Sequence, residues 1–166
     1  MRLPTLLLLS GLALGAAACA TPVPETAPGL VSSGSPQPVE GYDWFLHHDG
    51  DEARLAYGLA ESDDLRIGLD CRRGSGRLAL SAPAQDGEKQ IYLESGGETE
   101  RFPAASEPSQ LHEGVFLTAE AEADAPVFLR FRRLGWLAMW RGDERQTYAP
   151  HRQSADGIER FFAFCG

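Results

Sequence analysis

Lysine is nearly missing from this chain: Lys89 is the single one in 166 residues, and arginine supplies the other 14 of 15 basic groups. Against them stand 24 carboxylates, giving a net charge of −9. That balance opposes binding to nucleic acid or to anionic lipid head groups. Motifs of catalysis are equally scarce. No Gly-x-Ser-x-Gly elbow surrounds any serine, so serine hydrolysis has no visible nucleophile, and Ser81 and Ser95 sit in strand or turn contexts. The three cysteines form no Cys-x-x-Cys, which removes thioredoxin-like and haem-attachment chemistry. His112-Glu113 lacks the second histidine of a zinc helix, and Gly74-Ser75-Gly76 joins two strand-like runs where a phosphate loop would open a helix. No catalytic residue and no cofactor is expected.

A membrane-spanning helix needs about 20 apolar residues. The apolar stretch at 6–14, behind Arg2 and interrupted by Ser10, Gly11 and Ala13, is shorter and has the layout of an export leader. Small residues follow at Ala16, Ala17 and Ala18, directly before Cys19. This arrangement resembles the lipobox of bacterial lipoproteins, although Ala16 stands where that family usually has leucine. The resemblance implies removal of residues 1–18, acylation of Cys19 and anchoring by lipid. Ala20 is not the aspartate that holds such proteins at the inner membrane, so the implied site is the outer membrane, facing the periplasm. The alternative is soluble periplasmic export with cleavage after Ala18 or Ala20.

Residues 19–41 then comprise the anchor and a tether with five prolines and little that could enter a core. Residues 42–166 have the size of one domain. Apolar residues recur there with period two, and turn residues arrive about every ten positions. Leu55, Tyr57 and Leu59 point one way; Leu65, Ile67, Leu69 and Cys71 alternate with Arg66, Gly68 and Asp70. Further strands are expected at 99–103, 115–120, 127–133, 136–140 and 145–149, the last three as a meander. At the end the period changes: Ile158, Phe161, Phe162 and Cys165 lie on one helical stripe after Ser154, a candidate N-cap. The expected fold is mainly β, an antiparallel β-sandwich or partly open β-barrel of about eight to ten strands with a C-terminal α-helix.

With Cys19 acylated, Cys71 and Cys165 remain as the only internal pair in an oxidising compartment, and both lie on apolar faces. A disulfide is expected; two buried thiols are the alternative. Among polar clusters, His47-His48-Asp49-Gly50-Asp51-Glu52 offers His47, His48, Asp49 and Asp51 as metal ligands. Adjacent histidines on a strand face opposite sides, however, and Asp-Gly between alternating runs signals a hairpin, so no metal is expected. Asp63-Asp64 reads as a solvated turn. Arg130 and Arg132 on one strand face, with Arg133 opposite, form a candidate patch for an anion or partner; pairing with neighbouring carboxylates is the bland reading.

Tyr57-Gly58, Glu61-Ser62-Asp63-Asp64, Cys71 and Gly74-Ser75-Gly76 together resemble envelope proteins of alphaproteobacteria, a group that brings no activity with it. The functional expectation is a lipid-anchored, non-catalytic binding or structural module of the envelope, contacting the membrane through its lipid, with an envelope protein as candidate partner. The alternatives are a hydrolase with a non-contiguous site and a small-ligand carrier using a barrel interior.

Overall fold

The computed structural model describes residues 35–109 and 114–166. Cys19, the leader, the tether up to residue 34, and His112 with Glu113 lie outside the described residues. In chain order the elements are β1 (Tyr42–Asp49), β2 (Glu52–Leu59), β3 (Leu65–Arg72), β4 (Arg77–Ala84), β5 (Gln90–Ser95), β6 (Glu98–Pro108), β7 (Val115–Glu122), α1 (Pro126–Leu134), β8 (Leu137–Arg141), β9 (Glu144–Tyr148) and α2 (Ala155–Cys165). The nine strands pair antiparallel in the order β1-β2-β3-β4-β7-β6-β5-β8-β9, one sheet nearly closed into a barrel. Its two edges, β1 and β9, leave a seam.

Turn chemistry sets the hairpins. Asp49 pairs with Glu52 across Gly50-Asp51, and Arg141 with Glu144 across Gly142-Asp143, each loop containing a glycine at positive φ. Long β6 changes partner midway: residues 98–103 pair with β5, and 104–108 pair with β7. This hand-over at Pro103 and Ala104 bends the sheet around its core.

Alternation puts Trp44, Leu55, Tyr57, Ile67, Leu69, Leu78, Leu80, Ile91 and Leu93 inside, all buried. Phe128 and Phe131 from α1, and Phe161 and Phe162 from α2, fill the space between them. Trp44 and Phe131 have ring centroids 5.0 Å apart, Phe128 and Phe162 5.9 Å, in tilted contacts that add to the area they bury. The interior is thus packed with these side chains.

One element differs in kind from the sequence expectation. Residues 127–133, read as a strand, form α1. The strand reading placed Val127, Leu129 and Phe131 on one face, but Leu129 is 49% exposed, while Val127, Phe128 and Phe131 are fully buried at helical spacing. Pro126 at the first turn and Gly135 at φ 79° after the last residue are the boundary signals of a helix. The last three segments therefore make a helix followed by a hairpin.

The C-terminal helix forms where the period changed. Cys165 is joined to Cys71 across 94 residues, with Cα atoms 5.7 Å apart. Two amides of the β3–β4 loop complete the attachment: Gly74 N–H donates to the Phe164 carbonyl at 2.9 Å and Gly76 N–H to the Cys165 carbonyl at 2.8 Å. They satisfy helix-end acceptors that have no partner within the helix. Ser154 stands at the N-cap position but makes no capping bond; its hydroxyl donates to Asp43 on β1 and to the His151 carbonyl.

Candidate functional site

The seam between β1 and β9 is shaped by a β-bulge. Register between β2 and β3 slips at Tyr57/Gly58, so that Tyr57 faces Ile67 while Gly58 faces Leu65, and Arg66 is the extra residue. Gly58 allows this because a Cβ there would lie 2.7 Å from the Asp64 carbonyl oxygen. Bulges re-aim side chains. Arg66 accordingly leaves the outward alternation with Gly68 and Asp70. Its guanidinium lies over the Tyr42 ring, 5.2 Å from the centroid, and donates from Nη2 to the Tyr42 hydroxyl at 2.8 Å and to Asp64 Oδ2 at 2.9 Å. The Tyr42 hydroxyl in turn donates to Asp64.

Behind Arg66 lies a recess of about 300 Å³ walled by Val39, Tyr42, Tyr57, Gln146 and Tyr148. Tyr57 and Tyr148 pack with ring centroids 4.9 Å apart, and Tyr42 and Tyr57 at 6.0 Å. Trp44 donates from Nε1 to the Tyr148 carbonyl at 3.2 Å and ties the two edges at one end. Asp43 closes the same end, accepting from the amides of Trp44 at 2.8 Å and His151 at 3.0 Å, and from the Ser154 hydroxyl.

Burial pushes Tyr148 well above its ordinary range, against the opposing pull of Arg141 and Arg66. Burial also raises Tyr57, with the Asp43 charge adding to it. The Tyr57 hydroxyl is shut from solvent and has no hydrogen-bond partner among the described residues. A buried hydroxyl without a partner is uncommon and costs roughly 1 to 3 kcal/mol. It marks this recess as the place where the fold lacks an acceptor.

One lip of the seam, β9, is held from outside. Arg145 on β9 makes a two-pronged pair with Glu94 on β5, at 2.8 and 2.7 Å, and Trp140 Nε1 donates to the same carboxylate at 2.6 Å. Hydrogen bonds from Arg145 hold the Glu94 carboxyl below the usual glutamate range, overcoming the effect of burial. Trp136 lies under the Arg145 guanidinium at 5.3 Å and is buried, packed with Ala138 and Ala149.

A larger cleft of about 700 Å³ opens on the outer face where β3 and β4 share only three paired positions. Its charges are mutually engaged: Arg54 with Asp70 at 3.4 Å, Arg72 with Glu52 at 3.8 Å, and Arg77 with Glu120 and Glu122, both at 2.8 Å. All these side chains are solvated, so the cleft is a screened lattice of ion pairs with no unmet demand. Asp70 shifts upward because burial outweighs Arg54. Ser81 there accepts from Arg54 and donates to the Gly68 carbonyl, both at 3.5 Å, not to an imidazole.

The residues singled out from sequence are dispersed. His47 lines the outer cleft, while His48 faces inward against Phe164 at 4.9 Å. Asp49 and Asp51 flank the hairpin glycine, and Asp51 pairs with Arg73. Among the described residues no three His, Cys, Asp or Glu side chains converge as a metal site. Arg130, Arg132 and Arg133 lie on α1, not on a strand face. Arg130 is bound to Glu98 at 2.8 Å and Glu100 at 3.1 Å, and Arg132 to Glu159 at 2.7 Å; Arg133 is exposed. Sequence reasoning missed Tyr42, Arg66 and Tyr148 as members of one site. The available signal was three tyrosines at inward-facing strand positions, each carrying a hydroxyl that a core must satisfy. Compared with protein-family models, curated proteins and solved structures, the chain matches none.

Proposed function

We propose that this chain is an exported β-domain, held at the periplasmic face of the outer membrane by lipid on Cys19, that binds an envelope component without transforming it. The observation that carries the reading is the seam recess: a preformed, aromatic-walled concavity with an unmatched buried donor. Packing of the barrel interior supports a ligand seated at the rim. The lipobox-like Cys19 and the proline-rich tether support the location.

Two measurements test this. A photo-crosslinking amino acid in place of Tyr42 in cells is expected to give a light-dependent adduct in the membrane fraction. The same group in place of Phe45, exposed on the outer face, serves as control. Adducts from Phe45 alone would remove the recess from the function. Globomycin with intact-mass analysis is expected to block processing at Cys19. A mature chain with an unmodified N-terminus would restore soluble secretion.

A further inference from the structure

From the donors and acceptors around the seam we infer that the recess receives a carboxylate carried on a small apolar or aromatic body. This rests on the reading of the chain as a binding module and names the class of ligand.

Each carboxylate around the seam is already engaged by a donor. Asp43 takes three hydrogen bonds, Asp64 takes those of Tyr42 and Arg66, and Glu144 Oε1 accepts from Gln146 Nε2 at 3.1 Å. The donors are not. The Tyr57 hydroxyl has no partner, and Nε and Nη1 of Arg66 have none among the described residues. The Tyr148 hydroxyl has only a long contact of 3.4 Å to Gln146 Oε1. An incoming group must therefore supply acceptors. A cation would meet the Arg66 guanidinium.

Arg141 reinforces the preference. It is anchored by donating to the Pro83 carbonyl, and its charge, like that of Arg66, acts on the Tyr148 hydroxyl. In a chain of net charge −9, two guanidinium groups thus act on one buried hydroxyl. A planar carboxylate matches the fork of a guanidinium and takes a tyrosine O–H as a further donor. Among the remaining walls, which include Gln146 and Thr147, Val39 and the tyrosine rings accept an apolar body. A volume of about 300 Å³ lies at the lower end of the ligand-pocket range and suits an acid the size of phenylpropionate. The same group is presented by a free small acid or by the C-terminal carboxylate of a peptide ending in an aromatic residue.

Calorimetric titration of the full chain in detergent tests this with four probes: 3-phenylpropionate, its amide, and the tripeptide Gly-Gly-Phe as free acid and as C-terminal amide. Each acid is expected to bind about tenfold or more tightly than its amide. Tyr57→Phe removes only an oxygen without a bond, so the fold stays intact with an unchanged or raised Tm. Affinity for the acids is expected to fall about tenfold in that variant, with the amides unaffected. A tighter tripeptide acid assigns the carboxylate to a peptide terminus, and equal affinity of the two acids assigns it to the free compound. Equal binding of acids and amides, absence of binding, or an unchanged Tyr57→Phe chain each overturn the inference. A Tyr42 crosslink to an envelope component alongside any of those results leaves the binding-module reading standing.

Discussion

The two ends of α2 are held by opposite means. Its C-terminal end is tied covalently through Cys165 to Cys71 and receives two loop amides from Gly74 and Gly76. Its N-terminal end rests on one carboxylate, Asp43, which gathers the Ser154 hydroxyl and the His151 amide onto β1. The first pole constrains the chain whether folded or unfolded, and the second holds only while the fold is formed. Beside the stapled pole the arginines of the outer cleft are paired with carboxylates; beside the hydrogen-bonded pole lies the recess with its unmatched hydroxyl. Rigidity and unmet chemistry occupy different ends of the same barrel, and a binding rim benefits from being the less constrained one.

The largest expected effect comes from removing the staple. Cys71→Ser with Cys165→Ser frees a loop of 94 residues, for which chain entropy predicts a loss of about 4.7 kcal/mol. Urea unfolding of the oxidised chain beside the double variant measures it. Equal midpoints would mean that the glycine amides alone hold α2, and the contrast between the poles would collapse.

Next comes the clamp on the β9 lip. Glu94→Gln leaves Arg145 without its carboxylate and is expected to cost about 2 kcal/mol. That is less than for a fully buried pair, because Arg145 is 29% exposed. The folded-state pKa of Glu94 is depressed, so its contribution is complete above the unfolded glutamate value of about 4.3 and fades as pH falls through the folded value. Urea midpoints followed downward from neutral pH should therefore drop more in the wild type than in the variant. Parallel profiles would show that the pair does not hold the lip.

A smaller effect is expected at the hydrogen-bonded pole itself. Asp43→Ala should lower stability by about 1 kcal/mol while speeding amide exchange at His151 far more than at Gly76. Uniform acceleration at both amides would mean that the two poles open together. The least perturbing change is Tyr57→Phe, whose hydroxyl makes no bond to lose.

Much of the framework was legible because it depends on local rules. Period-two alternation placed Leu55, Tyr57, Ile67, Leu69 and Cys71 on the inner face, and Asp-Gly marked the first hairpin. The change to helical spacing located α2 and put Cys165 on the stripe that meets the sheet. Residues 127–133 were misread because Val127, Leu129 and Phe131 alternate as a strand would, while packing puts Phe128 inside and Leu129 outside. Within the recess, Tyr57 was placed correctly on the inner face, yet nothing in its neighbours indicated a hydroxyl without a partner.

By itself, the sequence determined strand-rich composition, the hairpin turns, the terminal helix and the pair of cysteines able to join it to the sheet. These follow from side-chain direction and turn propensity within a few residues. Tertiary structure alone decided that β1 and β9 end as facing edges, that a one-residue bulge swings Arg66 onto Tyr42, and that Tyr57 meets Tyr148 across 91 positions of chain. Strand order and register set those encounters, and both depend on how the whole sheet curves around Phe128, Phe131, Phe161 and Phe162, which no local window contains.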